Sequence, residues 1–115
     1  MISIYDIVDN ALSLAVDDYY HGMPEFEEGE EPSEFATYTV QEMPENFASG
    51  VSDTLRYAVY IDLFTPYVDE VLKNKVIAAM KQSGGCYMGG RDNGNDTGYP
   101  AKKQKSLDFV FNILN

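Results

Sequence analysis

The sequence predicts an α+β layer fold: a mainly antiparallel four-stranded sheet with two helices packed on one face, in the order α-β-β-α-β-β. Three observations lead there. Two stretches carry apolar residues at helical spacing between capping residues, and three others alternate with the period of a strand. The strands come in pairs separated by single helices, which suits helices gathered on one side of an antiparallel sheet. The 115 residues suffice for one core and one domain, residues 1–115.

The first helix opens at Ser3, whose hydroxyl can cap free backbone N–H groups, with Asp6 three residues later near the positive end of the dipole. Ile4, Ile7, Val8, Ala11, Leu14 and Ala15 follow the three-four spacing of one buried stripe. That pattern predicts a helix to about Tyr20, stopped by Gly22 and Pro24. "PEFEEGEEPSEF" (24–35) holds six glutamates, a glycine and two prolines, and reads as an exposed acidic loop that does not enter a core. "ATYTVQEM" (36–43) alternates and is rich in β-branched residues, so it reads as a strand; 44–53 is a connection.

"TLRYAVYIDLF" (54–64) is the clearest strand. Leu55, Tyr57, Val59, Ile61 and Leu63 share one face; Arg56, Ala58, Tyr60, Asp62 and Phe64 share the other. Tyr60 and Phe64 on that mixed face imply partial cover by a helix or a partner. Thr65-Pro66 then reads as a cap and first residue of the second helix. Val68, Val71, Leu72, Val76, Ala79 and Met80 form its apolar stripe, and Gly84-Gly85 its stop. "CYMGG" (86–90) reads as a short strand, 91–104 as a long loop tip, and "SLDFVFNIL" (106–114) as the last strand, with Leu107, Phe109, Phe111 and Ile113 on one side.

Charge is unevenly placed. The net charge is −11, and no Lys or Arg precedes Arg56. Thirteen of the nineteen acids lie in residues 1–55, whereas all eight cations lie in the remainder. Direct nucleic-acid binding is disfavoured, because phosphates need cations. An acidic surface on one copy could instead meet a less acidic one on the next. The longest apolar run, "VIAAM" (76–80), is too short to span a membrane, and the N-terminus lacks the basic flank and apolar stretch of a signal peptide. Cys86 is the single cysteine, which excludes an internal disulfide and suits a reducing compartment.

"RDNGNDTGYP" (91–100) resembles a calcium loop at first sight. Counting from Asp92, the third position is Gly94, the sixth Thr97 and the twelfth Lys103, so a cation stands where the bidentate acid belongs. Counting from Asp96 fits worse, and Lys102, Lys103 and Lys105 oppose a metal. Asn93-Gly94 is a turn signal. No metal and no cofactor are expected. Nor is an enzyme: His21 is the only histidine, and a nucleophile–base pair would require it to meet Cys86 or a serine in space. Cys86, without a basic neighbour in sequence, reads as a small buried thiol.

Three stretches give the chain a family likeness: "YAVYIDLFTP" (57–66), "VLKNKVIAAMKQSGG" (71–85) and "DTGYPAKKQKSLDFVF" (96–111). They match the central strand with its aromatic end and helix cap, the following helix with its glycine stop, and the loop with its closing apolar-x-Phe strand. On them the chain resembles the tail-terminator family of long-tailed bacteriophages and prophages, the tail-completion, head–tail joining or minor tail proteins. A histidine often found beside the tyrosine is replaced here, since Pro100 and Ala101 follow Tyr99, and the glutamate-rich loop is unusual. The resemblance implies a structural protein without cofactor or turnover. It would form a homo-oligomeric ring, a hexamer, on the end of the finished tail tube. There it would contact the tail-tube protein and the head–tail connector, in the virion tail after assembly in the bacterial cytoplasm.

The residues expected to make such contacts are Arg91, Asp92, Asp96, Tyr99, Lys102 and Lys103 of the tip, Glu27, Glu28, Glu30 and Glu31 of the acidic loop, and Tyr60 and Phe64 of the central strand. An acidic lumen would also repel DNA phosphates and let a genome pass. A different class competes with this reading: an acidic inhibitor that mimics DNA and occupies a nuclease or repressor. Capture from a host lysate separates them, with nucleases expected for a mimic and tail protein for a terminator.

Overall fold

In a computed structural model, residues 3–43, 54–67, 69–94, 99 and 102–114 are described. The elements are α1 (Ile4–Ser13), β1 (Tyr19–His21), β2 (Phe35–Met43), β3 (Thr54–Thr65), α2 (Glu70–Gln82), β4 (Cys86–Gly94) and β5 (Lys103–Leu114). The five strands form one sheet in the order β1-β2-β3-β5-β4, parallel between β1 and β2 and antiparallel elsewhere. The expected four-stranded antiparallel sheet is thus a five-stranded mixed one, and the chain order is α-β-β-β-α-β-β.

The extra strand comes from the expected end of the first helix. Ser3 caps α1 as expected, accepting from the Tyr5 N–H at 3.2 Å, but the helix stops at Ser13 rather than near Tyr20. Asp17 and Asp18 would face the negative end of the dipole, and Tyr19, Tyr20 and His21 favour extended backbone. The Asp18 carbonyl accepts from the Ala36 N–H at 3.0 Å, and β1 then runs beside β2 with Tyr19 opposite Ala36. Three residues are too few for alternation to reveal.

Two further boundaries move. Thr65 belongs to β3, opposite Lys103, and its hydroxyl donates to the Tyr67 carbonyl. The cap of α2 is Asp69, whose carboxylate accepts from the Leu72 N–H at 2.9 Å. Starting the helix there exposes Val71, so the buried stripe is Leu72, Val76, Ala79 and Met80; Val68 lies outside the described residues. The 91–104 tip is also shorter, because β4 runs to Gly94 and β5 begins at Lys103, with Asp92 opposite Lys105 and Gly94 opposite Gln104.

The strand expected at 86–90 is present within β4, and glycine conceals its continuation to Gly94. Its register shifts between Tyr87 and Gly89 and again between Asp92 and Gly94, and Gly89 has φ +123°. At Gly90 an added Cβ would lie 2.7 Å from the Ser106 carbonyl oxygen and 2.8 Å from the Tyr87 hydroxyl. Gly90→Ala is therefore expected to cost about 1–3 kcal/mol through forced backbone displacement, read as a lower urea midpoint with an unchanged slope.

The core lies between the helices and one face of the sheet. Val8, Ala11 and Leu12 from α1 and Val76 and Met80 from α2 meet Tyr38, Val59, Ile61, Leu107 and Phe109. The register places these in rows: Tyr38 opposite Ile61 opposite Leu107, and Val40 opposite Val59 opposite Phe109. The Tyr38 hydroxyl donates to the Asp9 carboxylate at 2.7 Å, joining α1 to β2. Burial, then that bond, pushes its pKa well above the usual phenol range. Twelve-residue strands span about 40 Å, whereas a thirteen-residue helix spans about 20 Å, so the helices cover only part of the sheet. The molecule measures 52 × 24 × 23 Å.

Candidate functional site

The residues expected to make contacts lie mostly on the sheet face opposite the helices. Phe64 and Tyr60 project there from β3, with Phe35 opposite Phe64 and Thr39 opposite Tyr60 in β2. The cover expected at this face comes from the chain itself. Phe35 and Phe64 stack at 4.9 Å, and the Tyr99 ring stands edge-on at 5.0 Å and 4.9 Å from them. Phe26 joins at 5.1 Å from Phe35, and Tyr20 of β1 closes the cluster at 5.6 Å from Phe26. Such edge-on pairs add to simple burial.

The acidic loop is thereby anchored rather than detached. Phe26 enters the ring cluster, the Tyr99 hydroxyl donates to the Pro24 carbonyl at 2.8 Å, and the Lys102 ammonium donates to the Glu31 carboxylate at 2.7 Å. Lys102 is buried and Glu31 half-buried. Burial, and then the charges of Glu31 and Glu25, raise the pKa of Tyr99. The loop and the residues Tyr99 and Lys102, read separately from the sequence, share one end of the molecule.

This arrangement divides the candidate residues. Phe64, Tyr99, Lys102 and Glu31 hold that end together. Glu27, Glu28 and Glu30 are exposed beside them, whereas Arg91 and Asp92 are exposed on β4 and Lys103 is half-buried at the start of β5. Tyr60 is 40% exposed, its hydroxyl donating to the Gln41 side chain at 3.2 Å. Asp96 lies outside the described residues. Sequence reasoning missed Phe26 and Phe35; two aromatics in an otherwise polar loop were the available signal.

A second charged group joins the far end of the loop to the helices. Asp17, Glu34, Asp69 and Lys75 line one cleft. The Glu34 carboxyl is held above the ordinary carboxylate range, first by burial, then by the charge of Asp69, with which it shares a hydrogen bond, and by Asp17; Lys75 acts the other way. The folded state therefore binds a proton here more readily than the unfolded chain. Its stabilising effect is complete below the usual carboxylate range and is lost as pH rises through the raised value. Glu34→Gln, which keeps a donor toward Asp69, is expected to raise the melting temperature at pH 7 by about 1–3 °C, with the gain vanishing near pH 4.

His21 and Cys86 do not meet. They lie on the two edge strands, β1 and β4, four strand spacings or about 19 Å apart across the sheet. Cys86 is exposed rather than buried. Among the described residues no group of three or more His, Cys, Asp or Glu side chains is placed to hold a metal ion, and no helix is long and apolar enough to cross a membrane.

No family model and no curated protein matches the chain. Among solved structures, it is similar to a chain in the virion of a native gene transfer agent particle, with a TM-score of 0.52 and 10% identity. The match covers 98% of this chain and 92% of that one, so at this low identity the two share a fold from end to end.

Proposed function

We propose that this chain is a structural protein of a phage-derived particle, which closes the finished tail tube as a hexameric ring and joins it to the head connector. The observation that carries this reading is the near-complete correspondence with a virion chain: the whole domain, without a large insertion on either side, has the architecture of a particle component. The step from fold to role is analogy, and it is joined to the tail-terminator resemblance of residues 57–66, 71–85 and 96–111.

The surface suits the role. Both sheet edges are blunted against indiscriminate strand pairing, β1 by its three residues and β4 by its register shifts. The end carrying Glu27, Glu28 and Glu30 is rigid, because the ring cluster and the Glu31–Lys102 pair pin the loop. An anchored acidic end can present carboxylates to a channel or a docking partner without first paying to order a loop.

The test is polymerisation of purified tail-tube protein with and without this chain, followed by electron microscopy. Tubes arrested at finite length, each bearing a ring at one end, are expected. Unrestrained growth with no terminal density would overturn the capping role.

A further inference from the structure

The two lateral flanks of the molecule differ in charge, and each ends in an open sheet edge. On one side α1 lies against β1 and β2: the Tyr5 ring meets His21 at 5.0 Å, and Asp9 holds the Tyr38 hydroxyl. Residues 3–23 on this side carry Asp6, Asp9 and Asp18 and no Lys or Arg, Asp17 lying beside Lys75 in the cleft described above. On the other side α2 packs against β4. With Lys75 facing that cleft, residues 70–92 there carry Lys73, Lys81 and Arg91 against Glu70 and Asp92. Each flank also exposes apolar surface at its edge: Met23, 61% exposed, just after β1, and Met88, 60% exposed, on β4.

From this we infer that copies of the chain associate front to back, the α1–β1 flank of one against the α2–β4 flank of the next. The partner is a second copy because the surface complements itself only in that sense. Joining two α1–β1 flanks about a two-fold axis sets Asp6, Asp9 and Asp18 against the same three carboxylates with no cation to separate them. Joining two α2–β4 flanks sets an excess of cations against the same excess. Only unlike flanks match in sign, and each then brings an exposed methionine to the contact. A contact between unlike patches leaves one of each free on every pair, so it propagates until it closes into a ring or continues as a filament. The three residues of β1 limit strand pairing across the junction, so side-chain charge and the edge methionines carry it. Long-range attraction between the flanks also orients the encounter and weakens with salt.

This inference rests on the ring reading and gives it a surface, and the experiment separates the two. The full-length chain is compared by native mass spectrometry and sedimentation with a double variant Asp6→Lys/Asp18→Lys and a double variant Lys81→Glu/Arg91→Glu. All four positions are exposed. Each variant alone has flanks of like sign and is expected to assemble at least tenfold more weakly than wild type. An equimolar mixture restores unlike flanks at every junction and is expected to assemble again, with even, alternating stoichiometry. That rescue also shows both variants to be folded, and circular dichroism checks each alone. A wild-type chain that assembles while both variants assemble equally well, or a mixture that stays monomeric, overturns the front-to-back contact and leaves the ring reading standing. Rescued assembly beside tubes that grow unchecked supports the contact and overturns the capping role. A wild-type chain that remains monomeric at every concentration overturns both.

Discussion

Phe64→Ala is expected to destabilise the protein by about 3–5 kcal/mol, the range for removing a large ring from a packed site. Phe64 is fully buried although it lies on the face that no helix covers. Its ring stacks on Phe35 and supports Tyr99, and through those two it supports Phe26 and Tyr20. The cluster therefore joins the ends of β2 and β3 to β1, to the acidic loop and to residue 99. Losing the central ring leaves a void that these neighbours, drawn from distant parts of the chain, cannot close together. A loss comparable to the whole stability of many small domains is then expected, read as a denaturant midpoint shift. Tyr60→Ala, on the same strand and face but 40% exposed, is the control, and should cost under about 1 kcal/mol. Equal losses at both positions would show that the aromatic cluster does not form the second core assigned to it.

What the sequence revealed follows the length of its patterns. β3 alternates over twelve residues, so its two faces, like the Leu107–Phe109 face of β5, could be read directly, whereas the pairing of the two strands could not. The α2 stripe was legible from Leu72 to Met80, but its start was not, because Thr65-Pro66 and Asp69 are both plausible caps and only the pairing of Thr65 with Lys103 decides between them. β1, and the length of β4 beyond the strand read at 86–90, were obscured for opposite reasons. The first is three residues long and continues an apolar helical stripe, and the second is rich in glycine, whose strand role depends on neighbours such as the Ser106 carbonyl. Of the candidate site, the residue types were visible and their division of labour was not. Glu31 and Glu30 are adjacent and chemically alike, yet one meets a buried lysine seventy-one positions away and the other faces solvent. Contacts that distant carry no local signature.

That lysine makes an asymmetric experiment possible. Glu31→Ala is expected to cost about 2–3 kcal/mol, somewhat below the range for a fully buried pair because Glu31 is only half-buried. The cost arises less from the lost attraction than from leaving the Lys102 ammonium buried without its carboxylate. Lys102→Met removes the buried charge as well and keeps the length of the stem, and the carboxylate left behind can turn to solvent. It should therefore cost under about 1 kcal/mol. The double variant Glu31→Ala/Lys102→Met should resemble Lys102→Met alone, so that the second change rescues the first. Hydrogen exchange places the effect: in Glu31→Ala protection should fall in residues 24–34 and at Lys102, while the Tyr38–Ile61–Leu107 row keeps its protection, since that row lies on the opposite face of the sheet. If Lys102→Met proved the more damaging change, the lysine would be serving some contact other than Glu31, and the rigid acidic end on which the proposed docking role depends would have to be held in another way.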